Sequence, residues 1–249
     1  MRNMKGLIPC AGLGTRLHPL SVAVPKELLP VGGKPAVHHA VKDLTDSGVQ
    51  DIVLVINRSK ERIKDYLWEA FPISDFTFVI QDEPRGVGYA ILESKKFLDG
   101  GPFVLLLPDN VFFGEEPLST SLIREYDQTG MSCVTLFQRG KFKPGARFGF
   151  EVDRAKEGTD QVIAAHPVDR VPPESAVHFG PAALLLTEEI FPYLKSESEQ
   201  WDPREGDFTE RPALSRLIEV GGLSAAWVEG ECFDIGTVEG YLECLRYLL

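Results

Sequence analysis

The chain has 249 residues, long enough to bury a sizeable core without metals or disulfides as staples, and its 43% hydrophobic and 25% charged content is that of a globular protein. Lys and Arg total 26 against 37 Asp and Glu, a net charge of −11, which argues against a nucleic-acid partner because such binders carry a basic face. Cys10, Cys133, Cys232 and Cys244 form no CxxC pair, and no apolar run approaches the ~18–20 residues of a bilayer span; a zinc module, a disulfide scaffold and a membrane partner are therefore not expected. With no signal-peptide pattern at the N-terminus, the expected location is cytoplasmic.

The first half alternates short apolar runs with amphipathic segments. Residues 5–10 (KGLIPC) predict a buried strand, and 35–47 a helix with Ala36, Val37, Ala40, Val41 and Leu44 on one face, ended by Gly48. A strand is expected at 51–56, a helix at 59–71 capped by Ser59, a strand at 76–80, a helix at 88–98 and a strand at 103–107. A helix at 122–128 and a strand at 132–137 follow. Continuous apolar strands alternating with helices predict an α/β fold whose parallel sheet is covered on both faces. The second half changes character near residue 140, with short strands at 148–152 and 162–165 and a longer one at 178–186. Helices at 188–194 and 212–220, a strand at 225–228 and a helix at 238–248 complete it. The expectation is one domain over 1–249, with a nucleotide-binding half (about 1–140) and an acceptor-binding half (about 141–249).

The segment C-A-G-L-G-T-R-L-H-P-L-S-V-A-V-P-K-E-L-L-P, residues 10–30, begins where the first strand ends. Gly12 and Gly14 let backbone N–H groups approach a phosphate with no Cβ in the way. Ligands in open α/β sheets sit at this end of the strands. A Walker A loop is excluded because no GK[ST] exists, and a dinucleotide fingerprint because Leu17 stands where its third glycine belongs. The loop carries its own cations instead. Arg16 can fork two phosphate oxygens and Lys26 acts as a point charge, a set suited to a triphosphate. Downstream, Gln81 ends a strand with an amide that offers one donor and one acceptor. Asp109 ends an apolar strand where Mg²⁺ would find a hard oxygen ligand. His38 and His39 fall on a helix and are expected to be structural, Cys10 a packed thiol, and Glu115 and Glu116 solvated. No Ser-His-Asp or Cys-His order stands out.

GLGTR, PKELLP and GKP together resemble the signature of the sugar-1-phosphate nucleotidylyltransferases, in particular the glucose-1-phosphate uridylyl- and thymidylyltransferases, strongly to about residue 130 and more weakly after it. The resemblance implies a doubly wound, mostly parallel mixed sheet with a smaller α+β acceptor-side subdomain. It implies a Mg²⁺-dependent transfer of UMP or dTMP from UTP or dTTP to a sugar 1-phosphate or related phosphorylated acceptor, with release of pyrophosphate. Ala11, Gly12, Gly14, Thr15, Gln81 and Gly86 would bind the nucleotide, Arg16 and Lys26 would be catalytic, and Asp234 in C-F-D-I-G-T would join Asp109 on the metal. Gly149, His166 and Gly180 would face the acceptor. Homo-oligomerisation stays open.

The acceptor half departs from the pattern. The family's Glu-Lys-Pro, which holds a sugar hydroxyl and the acceptor phosphate, reads Ala165-His166-Pro167 here, and the segment 175–180 (SAVHFG) keeps the Gly but not the family's Asn. A histidine is largely uncharged near neutrality. Either another cation such as Arg147 or Arg170 meets the phosphate, or the acceptor differs from glucose 1-phosphate; the latter is the expectation. A non-catalytic nucleotide-binding homologue is the alternative, and a nicotinamide oxidoreductase is disfavoured by the failed fingerprint.

Overall fold

The computed structural model describes residues 4–138, 141–143, 148–154, 159–167 and 178–249. The strands are β1 (Lys5–Pro9), β2 (Pro30–Val31), β3 (Lys34–Pro35), β4 (Asp51–Ile56), β5 (Asp75–Ile80), β6 (Phe103–Leu106), β7 (Asn110–Gly114) and β8 (Ser132–Leu136), then β9 (Phe142–Lys143), β10 (Phe148–Arg154), β11 (Asp160–Pro167), β12 (His178–Gly180), β13 (Ala183–Leu186), β14 (Leu223–Trp227) and β15 (Gly230–Asp234). The helices are α1 (Leu20–Ala23), α2 (Ala36–Asp46), α3 (Arg62–Ala70), α4 (Val87–Ser94), α5 (Leu118–Thr129), α6 (Ile190–Gln200), α7 (Arg211–Glu219) and α8 (Val238–Tyr247).

Strand side chains point alternately to opposite faces, and both faces are covered. Ile52, Leu54 and Ile56 of β4 pack with Val41 and Leu44 of α2 and Ile63 and Leu67 of α3. Val53 and Val55 turn the other way, to a cluster holding Ile91 of α4, Leu194 of α6 and Leu217 of α7. This double burial is why the strands read as unbroken apolar runs.

The main sheet has ten strands in the order β12-β10-β11-β14-β8-β13-β6-β1-β4-β5. The strands β5, β4, β1 and β6 run parallel, as do β8 and β14. β13 is antiparallel to β6 and β8, and β10 is antiparallel to β11 and β12. The result is a doubly wound mixed sheet whose antiparallel strands come from the second half. A separate sheet, β7-β15-β9, shares a third apolar cluster with Leu17, Tyr241 and Cys244. Among the described residues no helix is long and apolar enough to cross a membrane.

Several expected boundaries move. The cap before α3 is Asn57, not Ser59: Asn57 Oδ1 accepts the Ser59 N–H at 2.9 Å and a short 3-10 turn precedes the helix. The expected strand at 178–186 is two strands, β12 and β13, because Pro181 has no N–H to continue a ladder; the following amides of Ala182 and Ala183 donate to Thr135 Oγ1 instead. Helix α5 begins at Leu118 rather than 122, since Asp43 of α2 accepts the N–H groups of Leu118 (2.7 Å) and Ser119 (2.9 Å). The small sheet was not expected at all. His38 Nδ1 meets Tyr66 Oη at 2.8 Å and His39 Nε2 meets the Val31 carbonyl at 3.0 Å, structural contacts as anticipated. All four cysteines are buried free thiols, and burial pushes the Cys10 thiol well up.

Candidate active site

Strand β1 lies between β4 and β6, so the glycine loop leaves the sheet in the crevice at the carboxyl ends of parallel strands. Gly14 takes a left-handed φ of 68° to start the turn at Thr15–Leu17, and Ser21 Oγ donates to its carbonyl at 2.7 Å. At Gly12 the space a Cβ would fill is open. Ala11, Gly12, Gly14, Thr15, Arg16 and Lys26 all line one cavity of about 360 Å³.

Lys60, a residue the sequence did not single out, pins this loop from below. It is buried, and its Nζ donates to the carbonyls of Cys10 (2.7 Å) and Gly12 (2.5 Å) and to both oxygens of Glu27 (2.9 and 2.8 Å). Glu27 is equally buried; burial raises its carboxyl, against the pull of Lys60 and Lys26. One ammonium thus ties the glycine loop to the residue beside Lys26. Removing one partner of a buried pair strands the other. Lys60→Met is expected to lose about 3–5 kcal/mol of unfolding free energy, and Lys60→Met with Glu27→Met much less, by denaturant titration; a loss under about 1 kcal/mol in the single variant would exclude the role.

Asp109 and Asp234 meet through the small sheet. Strand β15 pairs with β7 so that Asp234 lies opposite Asn110, and the Ile235 N–H donates to the Asp109 carbonyl at 2.8 Å. A Cβ on Gly236 would stand 2.8 Å from Asp109 Oδ2, 2.8 Å from Asp234 Oδ1 and 2.9 Å from Arg16 Nη2; glycine there leaves the charged groups room to converge. Lys26 Nζ is 2.5 Å from Asp109 Oδ2 and Arg16 Nη1 is 3.3 Å from Asp234 Oδ2. Burial works to raise the Asp109 carboxyl, but Lys26 and Arg16 outweigh it and hold the group below its ordinary value. Burial and the neighbouring Asp109 charge raise Asp234. Two carboxylates converging beside Gly236 fit Mg²⁺, which takes one or two carboxylates and completes its shell with phosphates and waters. Among the described residues no group of three or more His, Cys, Asp or Glu forms a denser metal site. Glu115 is exposed and Glu116 pairs with Arg124, away from this centre.

Gln81 is 4% exposed and lines the same cavity. Its Nε2 donates to Glu93 Oε2 at 2.9 Å, while Arg85 Nη2 donates to Glu93 Oε1 at 2.8 Å. Glu93, unnoticed in the sequence, therefore fixes the amide with Oε1 as its available acceptor. Gly86 has a φ of 102°, and a Cβ there would come within 2.2 Å of the Phe208 carbonyl. Its glycine is required by this close approach as well as by a place on the cavity wall.

The acceptor side differs more from expectation. Phe150, Ala165 and Gly180 line the cavity; Gly149 and His166 do not. Gly149 is buried in the ladder opposite His166 and Phe179. His166 is corrected as a cavity ligand: neighbouring residues of a strand face opposite sides, so with Ala165 turned in, His166 Nε2 instead meets Glu151 Oε1 at 2.8 Å. Gly180 has a steric reason to be glycine, since a Cβ would come within 2.3 Å of the Thr135 carbonyl. Arg147, Arg170 and residues 175–177 lie outside the described residues. The wall the sequence did not reveal is the start of α7, where Asp207, Thr209, Glu210 and Arg211 reach the cavity.

The chain is similar to known proteins in both sequence and fold. A curated relative from Bacillus subtilis (strain 168), named UTP--glucose-1-phosphate uridylyltransferase, is 28% identical over 96% of this chain and 88% of its own length. A relative of the same name from Staphylococcus epidermidis is 28% identical over 96% of this chain and 90% of its own. The fold superposes on a crystal structure of UDP-glucose pyrophosphorylase complexed with UDP-glucose, with a TM-score of 0.83 at 23% identity, covering 98% of this chain and 97% of that one. It also matches a UTP-bound UGPase from Acinetobacter baumannii, with a TM-score of 0.80 at 22% identity over 98% and 92% of the two chains. The sequence model of the nucleotidyl transferase family matches residues 5–248, and the chain belongs to that family.

Proposed function

We propose that this nucleotidyl transferase moves the monophosphate of UTP or dTTP onto a sugar 1-phosphate or a related phosphorylated acceptor and releases pyrophosphate. The observation that carries the reading is the convergence of Asp109, Asp234 and Arg16 at Gly236, in one cavity with the glycine loop, Lys26 and Gln81. The names of the sequence relatives point the same way. In-line attack by an acceptor phosphate oxygen on the α-phosphorus needs no protein nucleophile. The chain's task is to position two phosphorylated substrates and neutralise charge. The loop N–H groups cradle the triphosphate, and Arg16 and Lys26 exchange their carboxylate partners for phosphate oxygens. Asp109 and Asp234 would hold Mg²⁺, which would supply Lewis-acid polarisation of a phosphoryl oxygen. In this reading residues 1–140 form the nucleotide half and 141–249 the acceptor half, with Asp234 returning across β15 to the nucleotide side.

Gln81 Oε1, fixed by Glu93, accepts the N3–H of uracil or thymine. Cytosine and adenine present no donor at the matching ring nitrogen, and a mismatched base leaves a buried polar group unsatisfied. A penalty of about 1–3 kcal/mol is expected, or about 10–100-fold in kcat/KM against CTP and ATP. A pyrophosphate-release screen of the five triphosphates against a panel of phosphate esters checks this. A purine triphosphate turning over best would refute the role of Gln81. UTP binding with no pyrophosphate from any ester would favour the non-catalytic alternative, which Ala165 and the averted His166 support.

A further inference from the structure

Strand β11 offers the acceptor neither carboxylate nor cation: Ala165 faces the cavity, and His166 is held by Glu151. An adjacent acid and base nevertheless reach the cavity from another element. Glu210 and Arg211 stand at the start of α7 and both line it, and α7 packs against β11, the strand that carries Ala165.

Glu210 is 6% exposed. The groups acting on its carboxylate are its own backbone N–H and the neighbouring Arg211, and burial holds it above its ordinary range. A carboxylate so buried is costly unless donors reach it, and a sugar presents hydroxyl donors. Arg211 is half-buried on the same wall. Burial lowers its guanidinium, Glu210 opposes that, and the positive charge of Arg16 lowers it further. Arg16 and Arg211 line the same cavity, and an anion bound there is stabilised by both charges. Arginine also forks two phosphate oxygens and keeps its charge at any working pH, which histidine does not.

We propose that Arg211 receives the acceptor's phosphate and that Glu210 accepts a hydrogen bond from one of its sugar hydroxyls, the two roles that Ala165 and His166 leave unfilled. The inference rests on the nucleotidyl-transfer reading of the cavity and assigns its specificity. The acceptor is a hexose 1-phosphate recognised from the α7 wall, and its use is flat with pH where a histidine contact would make it fall.

The test uses the full chain, the hexose 1-phosphate that releases pyrophosphate fastest, and initial rates from pH 6 to 9, with UTP affinity measured by direct titration. Arg211→Ala is expected to raise acceptor KM about 10–100-fold at every pH with UTP affinity within about twofold, and Arg211→Lys to recover part of the loss. Glu210→Gln is expected to raise acceptor KM about tenfold and to shrink the penalty for deoxy-sugar acceptors. An unchanged acceptor KM in Arg211→Ala overturns the proposal. So does a rise in His166→Ala that is largest at low pH and fades as pH climbs, or a loss carried by Arg147→Ala or Arg170→Ala instead. If the native chain binds UTP but no ester turns over, the transfer reading fails separately. Titration of a panel of hexose 1-phosphates into the chain loaded with α,β-methylene-UTP then decides the site: binding of one of them weakened by Arg211→Ala supports it, and binding that is absent from the whole panel or unaffected overturns it.

Discussion

Asp234→Asn is expected to lower kcat on the order of 10³-fold or more at saturating Mg²⁺ with the fold intact, and Asp109→Asn to do the same with a measurable loss of stability. The difference between the two follows from their partners. Asp234 pairs with Arg16, whose side chain is 44% exposed, at 3.3 Å, and exposed pairs contribute little to folding. Asp109 and Lys26 are 16% and 15% exposed at 2.5 Å, so neutralising Asp109 leaves an ammonium in a poorly solvated place. The catalytic loss is common to both, because the two carboxylates share one point beside Gly236, and removing either charge costs several kcal/mol of transition-state stabilisation, at about 1.4 kcal/mol per tenfold. Chelation should silence the native enzyme to a similar extent. Steady-state kinetics over a Mg²⁺ series, with thermal melts of each variant, separate chemistry from folding; full turnover by Asp234→Asn at saturating metal would remove that residue from the metal site.

Arg16→Ala is expected to lower kcat about 10²-fold or more while changing the KM for UTP far less, by analogy with deleting one preorganised donor. Negative charge gathers on the pentacoordinate α-phosphorus and the departing pyrophosphate, so a cation there acts mainly in the transition state. Arg16 is suited to this because it is tethered to Asp234 at rest yet exposed to the cavity, free to trade a carboxylate for a phosphate. Arg16→Lys should restore part of the rate, as a point charge without the fork. The comparison needs kcat and KM measured separately with UTP varied at fixed acceptor; a KM effect with kcat unchanged would place Arg16 in ground-state binding only.

The nucleotide side was legible because its chemistry is local. The strand of residues 5–10, the glycines, Arg16, Lys26 and the strand-ending Asp109 follow one another in an order that few other sites share, and the structure sets them along one cavity. Double burial of the sheet was written in unbroken apolar runs such as residues 51–56, and α2 in the spacing of Val37, Ala40, Val41 and Leu44. What the sequence left open depended on contacts between distant residues. No local signal starts α5 at Leu118, because its cap is Asp43 from another helix. Lys60 reads as a solvated surface lysine until the fold buries it under the glycine loop. Asp234 joins Asp109 only through the pairing of β7 with β15, two strands too short and mixed to announce themselves. His166 could be placed on β11, but whether it or Ala165 faced the cavity was a matter of strand register, where a shift of one residue exchanges the two faces. The sequence alone determined the class of chemistry and the candidate nucleotide residues; the tertiary structure decided which side chains share one cavity, because burial and facing direction are properties of packed elements and not of any one segment.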